Sequence, residues 1–224
     1  MAVLQYLMMG TSMSTTTVTG ELWTMGENND GQLGLGDTGR RSEPVQVGSL
    51  TDWQNTNYGH QNRHMVTVKS DGTLWSWGYN QNGQLGLGYT HTKRSSPVQV
   101  GSDTDWAKAY TGESISSAIK TDGTLYTWGR ADFGSLGHGN TTQLCSPGQV
   151  GSDTDWAHVI PSQSLQMMAM RTDGTLWWWG AINPIQGGDL SSPVQLGSAT
   201  DWKDARCVGN FGLEDNAYVM IRES

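Results

Sequence analysis

Gly34-Leu35-Gly36-Asp37-Thr38-Gly39 has the spacing of a dinucleotide-binding turn, in which glycines let the backbone close on a pyrophosphate at the start of a helix. No helical periodicity follows it. The corresponding segments further along read Gly86-Leu87-Gly88-Tyr89-Thr90-His91 and Gly137-His138-Gly139-Asn140-Thr141-Thr142, without the last glycine. The segment is therefore read as a tight loop where backbone groups approach too closely for a Cβ, and no cofactor is expected. Asn28-Asn29-Asp30-Gly31 has the flavour of a calcium loop. Its counterpart Gln81-Asn82-Gly83 carries no carboxylate, and neither copy ends on a bidentate glutamate. Asp103 with Asp105, and Asp153 with Asp155, would suit acid–base work if they converged in a cleft. Their recurrence from unit to unit points instead to Asx-type turns, because catalysis needs asymmetry. The histidines His60, His64, His91, His138 and His158 share neither spacing nor repeat position, so no metal site is expected. No catalytic residue is assigned, and the chain reads as non-enzymatic.

The elements that would position such residues are repeated. Gly-x-Leu-(Trp/Tyr)-x-x-Gly occurs at Gly20, Gly72, Gly123 and Gly174, at spacings of 52, 51 and 51 residues. Thr-Asp-Trp recurs at Thr51, Thr104, Thr154 and Thr200, each time after a Pro-Val-Gln-Val-Gly-like stretch. Within a unit, Met65 to Lys69 and Leu74 to Trp77 alternate in character around Asp71-Gly72, a hairpin signature for which a type I′ turn is expected. Asp122-Gly123 and Asp173-Gly174 predict two more hairpins. A glycine-rich loop and a short Pro-Val-Gln-Val strand, its proline suited to an edge, complete each unit. Four short strands per unit define an all-β, β-propeller-like array of about four and a half four-stranded blades, a short ring or an open arc. The blades fall at about 1–48, 49–101, 102–151 and 152–197 of one domain spanning 1–224, with a half blade at 198–224. The first strand of the array is placed at Leu4 to Gly10, and the half blade at Trp202 to Gly209 and Ala217 to Arg222.

Composition narrows the partners. Thirteen basic against 21 acidic residues, a net charge of -8, repel a phosphate backbone, so no direct nucleic-acid binding is expected. No run approaches the apolar length of a membrane span, and the apolar Met1 to Met9 stretch lacks a basic start and a small-residue cleavage site. A soluble protein without a signal peptide is expected, cytoplasmic or virion-associated. Cys145 and Cys207 occupy non-equivalent repeat positions and read as free thiols.

The run from Gly72-Thr73-Leu74-Trp75-Ser76-Trp77-Gly78 through Asn80-Gln81-Asn82-Gly83-Gln84-Leu85-Gly86-Leu87-Gly88, Ser96-Pro97-Val98 and Lys120-Thr121-Asp122-Gly123 closely resembles the repeat of the regulator of chromosome condensation family. The resemblance is strong from about Gly20 to Gly180. It implies a propeller of the kind whose founding members form seven-bladed rings, some of them exchange factors for a small GTPase that also bind chromatin. This chain departs in blade number, in lacking an inserted wedge between strands and in being acidic, and no exchange residue carries over. The Thr, Ser, Asn and Gly style is also similar to repeat proteins of bacteria and phages.

Three functions follow as expectations. A structural or protein-interaction propeller is favoured, one that self-associates or binds protein partners through an open C-terminal blade edge, for instance within a virion. Nucleotide exchange on a small GTPase and carbohydrate binding are the alternatives. Most tryptophans are expected to pack between blades. Trp178, where other units have Ser76 and Thr127, either faces outward or fills space left by the shortened loop Ala181 to Gly188. The candidate partner contacts are Trp178, Ile182 and Ile185, with Ala217, Tyr218 and Val219 on the last strand.

Overall fold

The computed structural model describes residues 19–54, 63–161, 165–181, 188–207 and 218–222. Its regular structure is β-strand apart from one short 3-10 turn, Asp132–Gly134. Two blades are complete among the described residues. The third comprises β8 (Trp106–Thr111), β9 (Ile115–Lys120), β10 (Leu125–Gly129) and β11 (Leu144–Gln149), hydrogen-bonded in chain order. The fourth comprises β12 (Trp156–Pro161), β13 (Gln166–Arg171), β14 (Leu176–Gly180) and β15 (Leu190–Gln195), in the same order. In the second, β5 (His64–Val68), β6 (Leu74–Gly78) and β7 (Arg94–Gln99) form a sheet, with β4 (Trp53–Gln54) bridged to it from Trp53 to Lys69. Of the first, β1 (Thr19–Gly20), β2 (Trp23–Gly26) and β3 (Arg41–Gln46) are described, and β2 pairs with β3. β1 pairs with β4, Gly20 opposite Trp53, and the last of six sheets among the described residues pairs β16 (Trp202–Cys207) with β17 (Tyr218–Arg222). The strand expected at Leu4 to Gly10 lies outside the described residues.

The three Asp-Gly hairpins form, but not with type I′ turns. Only the glycine takes a positive φ, at +78° for Gly72, +81° for Gly123 and +77° for Gly174, while the preceding aspartates stay out of the left-handed region. Gly72 N donates to Lys69 O and Lys69 N to Thr73 O, giving a three-residue loop that closes on a left-handed glycine. The aspartate braces the turn from its side chain. Asp71 Oδ1 accepts from the backbone N–H and the hydroxyl of Thr73 at 3.0 and 2.6 Å, and Asp122 and Asp173 repeat this with Thr124 and Thr175.

The core lies between blades. Trp128 of the third blade packs with Val66, Val68 and Leu74 of the second, and Trp179 of the fourth with Leu125, Leu136 and Val150 of the third. A blade therefore buries its apolar side only by stacking on a neighbour. Two joints set that stacking. At one end of the sheets the Asp-Gly turn meets the next Thr-Asp-Trp segment: Trp106 N donates to Gly72 O, Trp156 N to Gly123 O and Trp202 N to Gly174 O. At the other end the glycine-rich loop receives the next blade's indole. Trp77 Nε1 donates to Gln32 O, Trp128 to Gln84 O and Trp179 to Ser135 O, at 2.9, 2.9 and 3.0 Å.

A buried polar chain crosses the same boundary. Ser116 Oγ donates its proton to Gln84 O at 2.7 Å, so the 2.8 Å contact between Ser116 Oγ and His64 Nε2 requires the histidine nitrogen to be the donor. His64 is wholly buried, and desolvation pushes its pKa from 6.5 down to about 3. The unfolded chain takes up a proton below about pH 6.5 that the folded chain refuses until about pH 3, so this histidine's stabilising share is full above 6.5 and is lost as the pH falls toward 3.

Two outcomes are expected. Gly72→Ala and Gly123→Ala will each cost clearly more in thermal unfolding than Gly101→Ala. All three meet the ~1–2 kcal/mol left-handed penalty, but a Cβ at Gly72 or Gly123 would also lie 2.0 or 2.1 Å from a threonine carbonyl oxygen, while at Gly101 nothing lies within 4 Å. Comparing stability at pH 7 and pH 5, native protein will lose more than His64→Gln, by up to ~1.4 kcal/mol per pH unit. Gln166 already stands at the equivalent position of the fourth blade.

Candidate functional site

The dinucleotide-like loop is filled by protein. Gly34, Gly86 and Gly137 each face a tryptophan of the next blade, and an added Cβ would lie 2.9, 2.8 and 3.0 Å from the indole nitrogens of Trp77, Trp128 and Trp179. The calcium-like loop is likewise closed from within. Asn28, fully buried, accepts from Leu33 N and donates to Asp37 O and Gly39 O, and Asp30 pairs with Arg63 at 2.6 Å and with Lys93. Asn80 staples the second loop in the same way, accepting from Leu85 N and donating to Tyr89 O. Among the described residues no group of three or more His, Cys, Asp or Glu could hold a metal ion.

The paired aspartates converge on a cation. Lys120 meets Asp103 at 2.8 Å and Asp105 at 3.1 Å and lies 4.9 and 5.2 Å from the ring centroids of Trp106 and Tyr126. Arg171 repeats the arrangement with Asp153, with Asp155 at 3.5 Å, and with Trp156 and Trp177 at 4.5 and 3.9 Å. In the second blade Lys69 holds Asp52, Trp53 and Trp75. The Asx-type turn expected at these aspartates is thus replaced by an ion pair over aromatic rings, a contact worth roughly 0.5–2 kcal/mol according to its desolvation. Burial works against the charge of Lys120, but its bonds to Asp103 and Asp105 outweigh it and raise the pKa. Trp53, Trp106 and Trp156 all keep a buried indole N–H without a hydrogen-bond partner, so that feature belongs to the repeat rather than to any one site.

Where the repeat is broken, a cleft opens. Between the third and fourth blades a cavity of about 640 Å³ is lined by His138, Gln149, Trp156, Arg171, Trp177 and Ser192, among others. His138 stands where the first two blades have Leu35 and Leu87, and Gly148 where the other blades have Val45, Val98 and Val194. The two departures are one: a Cβ on Gly148 would lie 3.2 Å from His138 Cε1 and 2.6 Å from Leu144 Cδ1, so the valine's absence is what admits the imidazole. Thr127 Oγ1 donates to Leu136 O at 2.6 Å, so at its 2.9 Å contact with His138 Nε2 the ring nitrogen is the donor. Partial burial lowers the His138 pKa against the opposing pull of backbone acceptors, and the ring stays neutral at pH 7, with Nδ1 as its acceptor.

Of the sequence-predicted contacts, Trp178 faces inward, which corrects the outward alternative. It is 2% exposed and packs with Met168, Leu176 and Ala205. Its counterparts Ser76 and Thr127 donate to the loop carbonyls of Leu85 and Leu136, whereas the fourth unit carries a large apolar side chain here and a different sequence, Ala181 to Gly188, after it. Val219 is 56% exposed on β17. Tyr218 lies on the same strand, while Ile182, Ile185 and Ala217 lie outside the described residues. Cys145 is a free thiol. Sequence reasoning missed the His138 cleft, although its signal was present in two departures from the consensus within one unit.

Blades joined by glycine turns and indole hooks define a β-propeller-type repeat protein. The description "Regulator of chromosome condensation (RCC1) repeat" matches residues 19–61, 71–119 and 122–163, more than half of the chain. The chain belongs to the RCC1 repeat family. It is similar to the Ultraviolet-B receptor UVR8 of Arabidopsis thaliana, 30% identical over 195 residues covering 84% of this chain and 44% of that protein. The human E3 ubiquitin-protein ligase HERC2 is 30% identical over 185 residues, 80% of this chain and 4% of the ligase. Yeast RCC1 (Prp20), in a crystal structure bound to Kap60, superposes with a TM-score of 0.73 at 20% identity, covering 92% of this chain and 51% of that one. Human WBSCR16 gives 0.73 at 21% identity, over 92% and 54%. The chain thus spans about half of these solved propellers and less than half of the plant relative. No helix among the described residues is long and apolar enough to cross a membrane.

The His138–Gly148 pairing is checked by a double-mutant cycle in denaturant. Gly148→Val alone will destabilise, and His138→Leu in the same chain will restore most of the loss, with a coupling energy above ~1 kcal/mol.

Proposed function

We propose that this chain is a non-enzymatic protein-interaction propeller whose contact surface is the strand β17. The observation that carries the reading is the exposure of Val219, Met220 and Ile221, at 56, 37 and 57%. Successive residues of a strand point to opposite faces, so apolar side chains stand on both sides of β17, whose strand partner among the described residues is β16 alone. A further strand added there would gain main-chain hydrogen bonds and apolar anchors together. Solved structures of the yeast relative support a protein-binding role for the family's propellers: one holds it bound to Kap60, and another concerns its binding to Gsp1p and histones. The wider form of the reading, in which the added strand belongs to a large assembly such as a virion, rests on sequence style. Nucleotide exchange rests on the family resemblance alone, and the carbohydrate reading loses its carrier with the burial of Trp178.

Light scattering on a sizing column tests the proposal in its self-associating form. The native chain is expected to run above its 24.4 kDa monomer mass, and Val219→Lys with Ile221→Lys to run as a monomer with unchanged thermal unfolding. A native chain that is monomeric at all concentrations, with the variant indistinguishable from it, would overturn self-association through β17.

A further inference from the structure

We propose that the cleft between the third and fourth blades is a binding site for a neutral saccharide, held by His138, Gln149, Asp153, Arg171, Trp177 and Ser192. The inference is independent of β17 and of the protein-binding reading.

Asymmetry carries the first part. The boundary between the second and third blades has Gln99, Asp103, Trp106 and Ser146 at matching sequence positions, but there Leu87 and Val98 stand in place of His138 and Gly148. Lys120 and Tyr126 become Arg171 and Trp177 across the other wall. These exchanges remove an aliphatic pair, bring in an imidazole, broaden the aromatic surface and replace a point charge with a planar fork of donors. Neither the glycine joint nor the indole hook needs any of them, since the second and third blades pack together without them.

Chemistry names the ligand class. The cleft mixes donors and acceptors: the amide of Gln149 and hydroxyl of Ser192 offer both, Arg171 donates, and Asp153 and the neutral His138 Nδ1 accept. A hydroxyl, which donates and accepts at once, matches such a wall. A carboxylate or phosphate does not, because Asp153 and Asp155 already surround Arg171 and leave the site without a net positive charge. The partly buried indole of Trp177, one face of which carries the Arg171 guanidinium, and the ring of Pro193 add apolar surface to the cleft for contact with the C–H side of a sugar ring. The volume, about 640 Å³, is in the range of small-ligand sites.

The test uses the intact chain and its His138→Leu/Gly148→Val variant, which restores the residues of the second blade. A neutral-glycan array is followed by NMR titration with lactose, maltose, cellobiose and chitobiose at millimolar concentration, observing the tryptophan indole signals. The expected result is binding of at least one of these sugars with a shift of the Trp177 indole, weakened at least about tenfold in the variant, whose thermal unfolding stays cooperative. A native chain that binds no neutral glycan overturns the proposal. Binding that persists undiminished in the folded variant overturns the assignment to this cleft.

Discussion

A Cβ on Gly72 would stand 2.0 Å from the carbonyl oxygen of Thr104, and one on Gly123 2.1 Å from that of Thr154. This approach of one blade's hairpin turn to the next blade's first strand is the contact on which the rest depends. It lets the tryptophan N–H of Thr-Asp-Trp reach the glycine carbonyl, and so fixes how closely successive sheets stack. With that spacing set, Trp77, Trp128 and Trp179 fall into the glycine-rich loops, where no side chain could be accommodated. Only then are the apolar faces buried, because each of the core clusters draws residues from two neighbouring blades. A single blade has glycine turns and aromatic strands but no interior of its own.

A scaffold made of repeated joints makes its exceptions readable. The unit whose sequence departs from the glycine-rich loop after β14 also carries Trp178 where Ser76 and Thr127 donate to loop carbonyls, and the indole packs with Met168, Leu176 and Ala205. That exception is explained by packing. His138 with Gly148 is different: the blade pairs that keep leucine and valine form the same joints, so packing alone does not ask for the exchange. The cation over two aromatic rings recurs in three blades and belongs with the joints, since it ties the end of an inner strand to the aspartates that open each blade.

Much of the fold was legible beforehand. Asp-Gly between alternating runs announced each hairpin, and the recurrence of Gly-x-Leu-(Trp/Tyr)-x-x-Gly announced the blades. The turn type was not legible, because Asp-Gly serves both a two-residue turn with two left-handed residues and a three-residue loop with one, and the choice follows from the register of the flanking strands. Nor was the role of Asp103, Asp105, Asp153 and Asp155. Their cation sits at Lys120 or Arg171 on the second strand of the same blade, and sequence spacing alone does not reveal that the strands bring them together. Trp178 was marked as unusual by comparison with Ser76 and Thr127, but its inward orientation depends on Ala205, contributed by a sheet later in the chain.

By itself the sequence determined the period, the order of strands within a unit and the places where only glycine is tolerated, because these follow from local backbone preferences and the alternation of side chains along a strand. Tertiary structure decided which distant groups meet. Trp128 and the Gln84 carbonyl are 44 residues apart, and His64 and Ser116 are 52 apart, so their pairing follows from the stacking distance between sheets. The His138 cleft is of the same kind. Two departures from a consensus can be seen in one unit, but only the packing of the third blade on the fourth makes them the wall of a cavity that also holds Arg171 and Trp177.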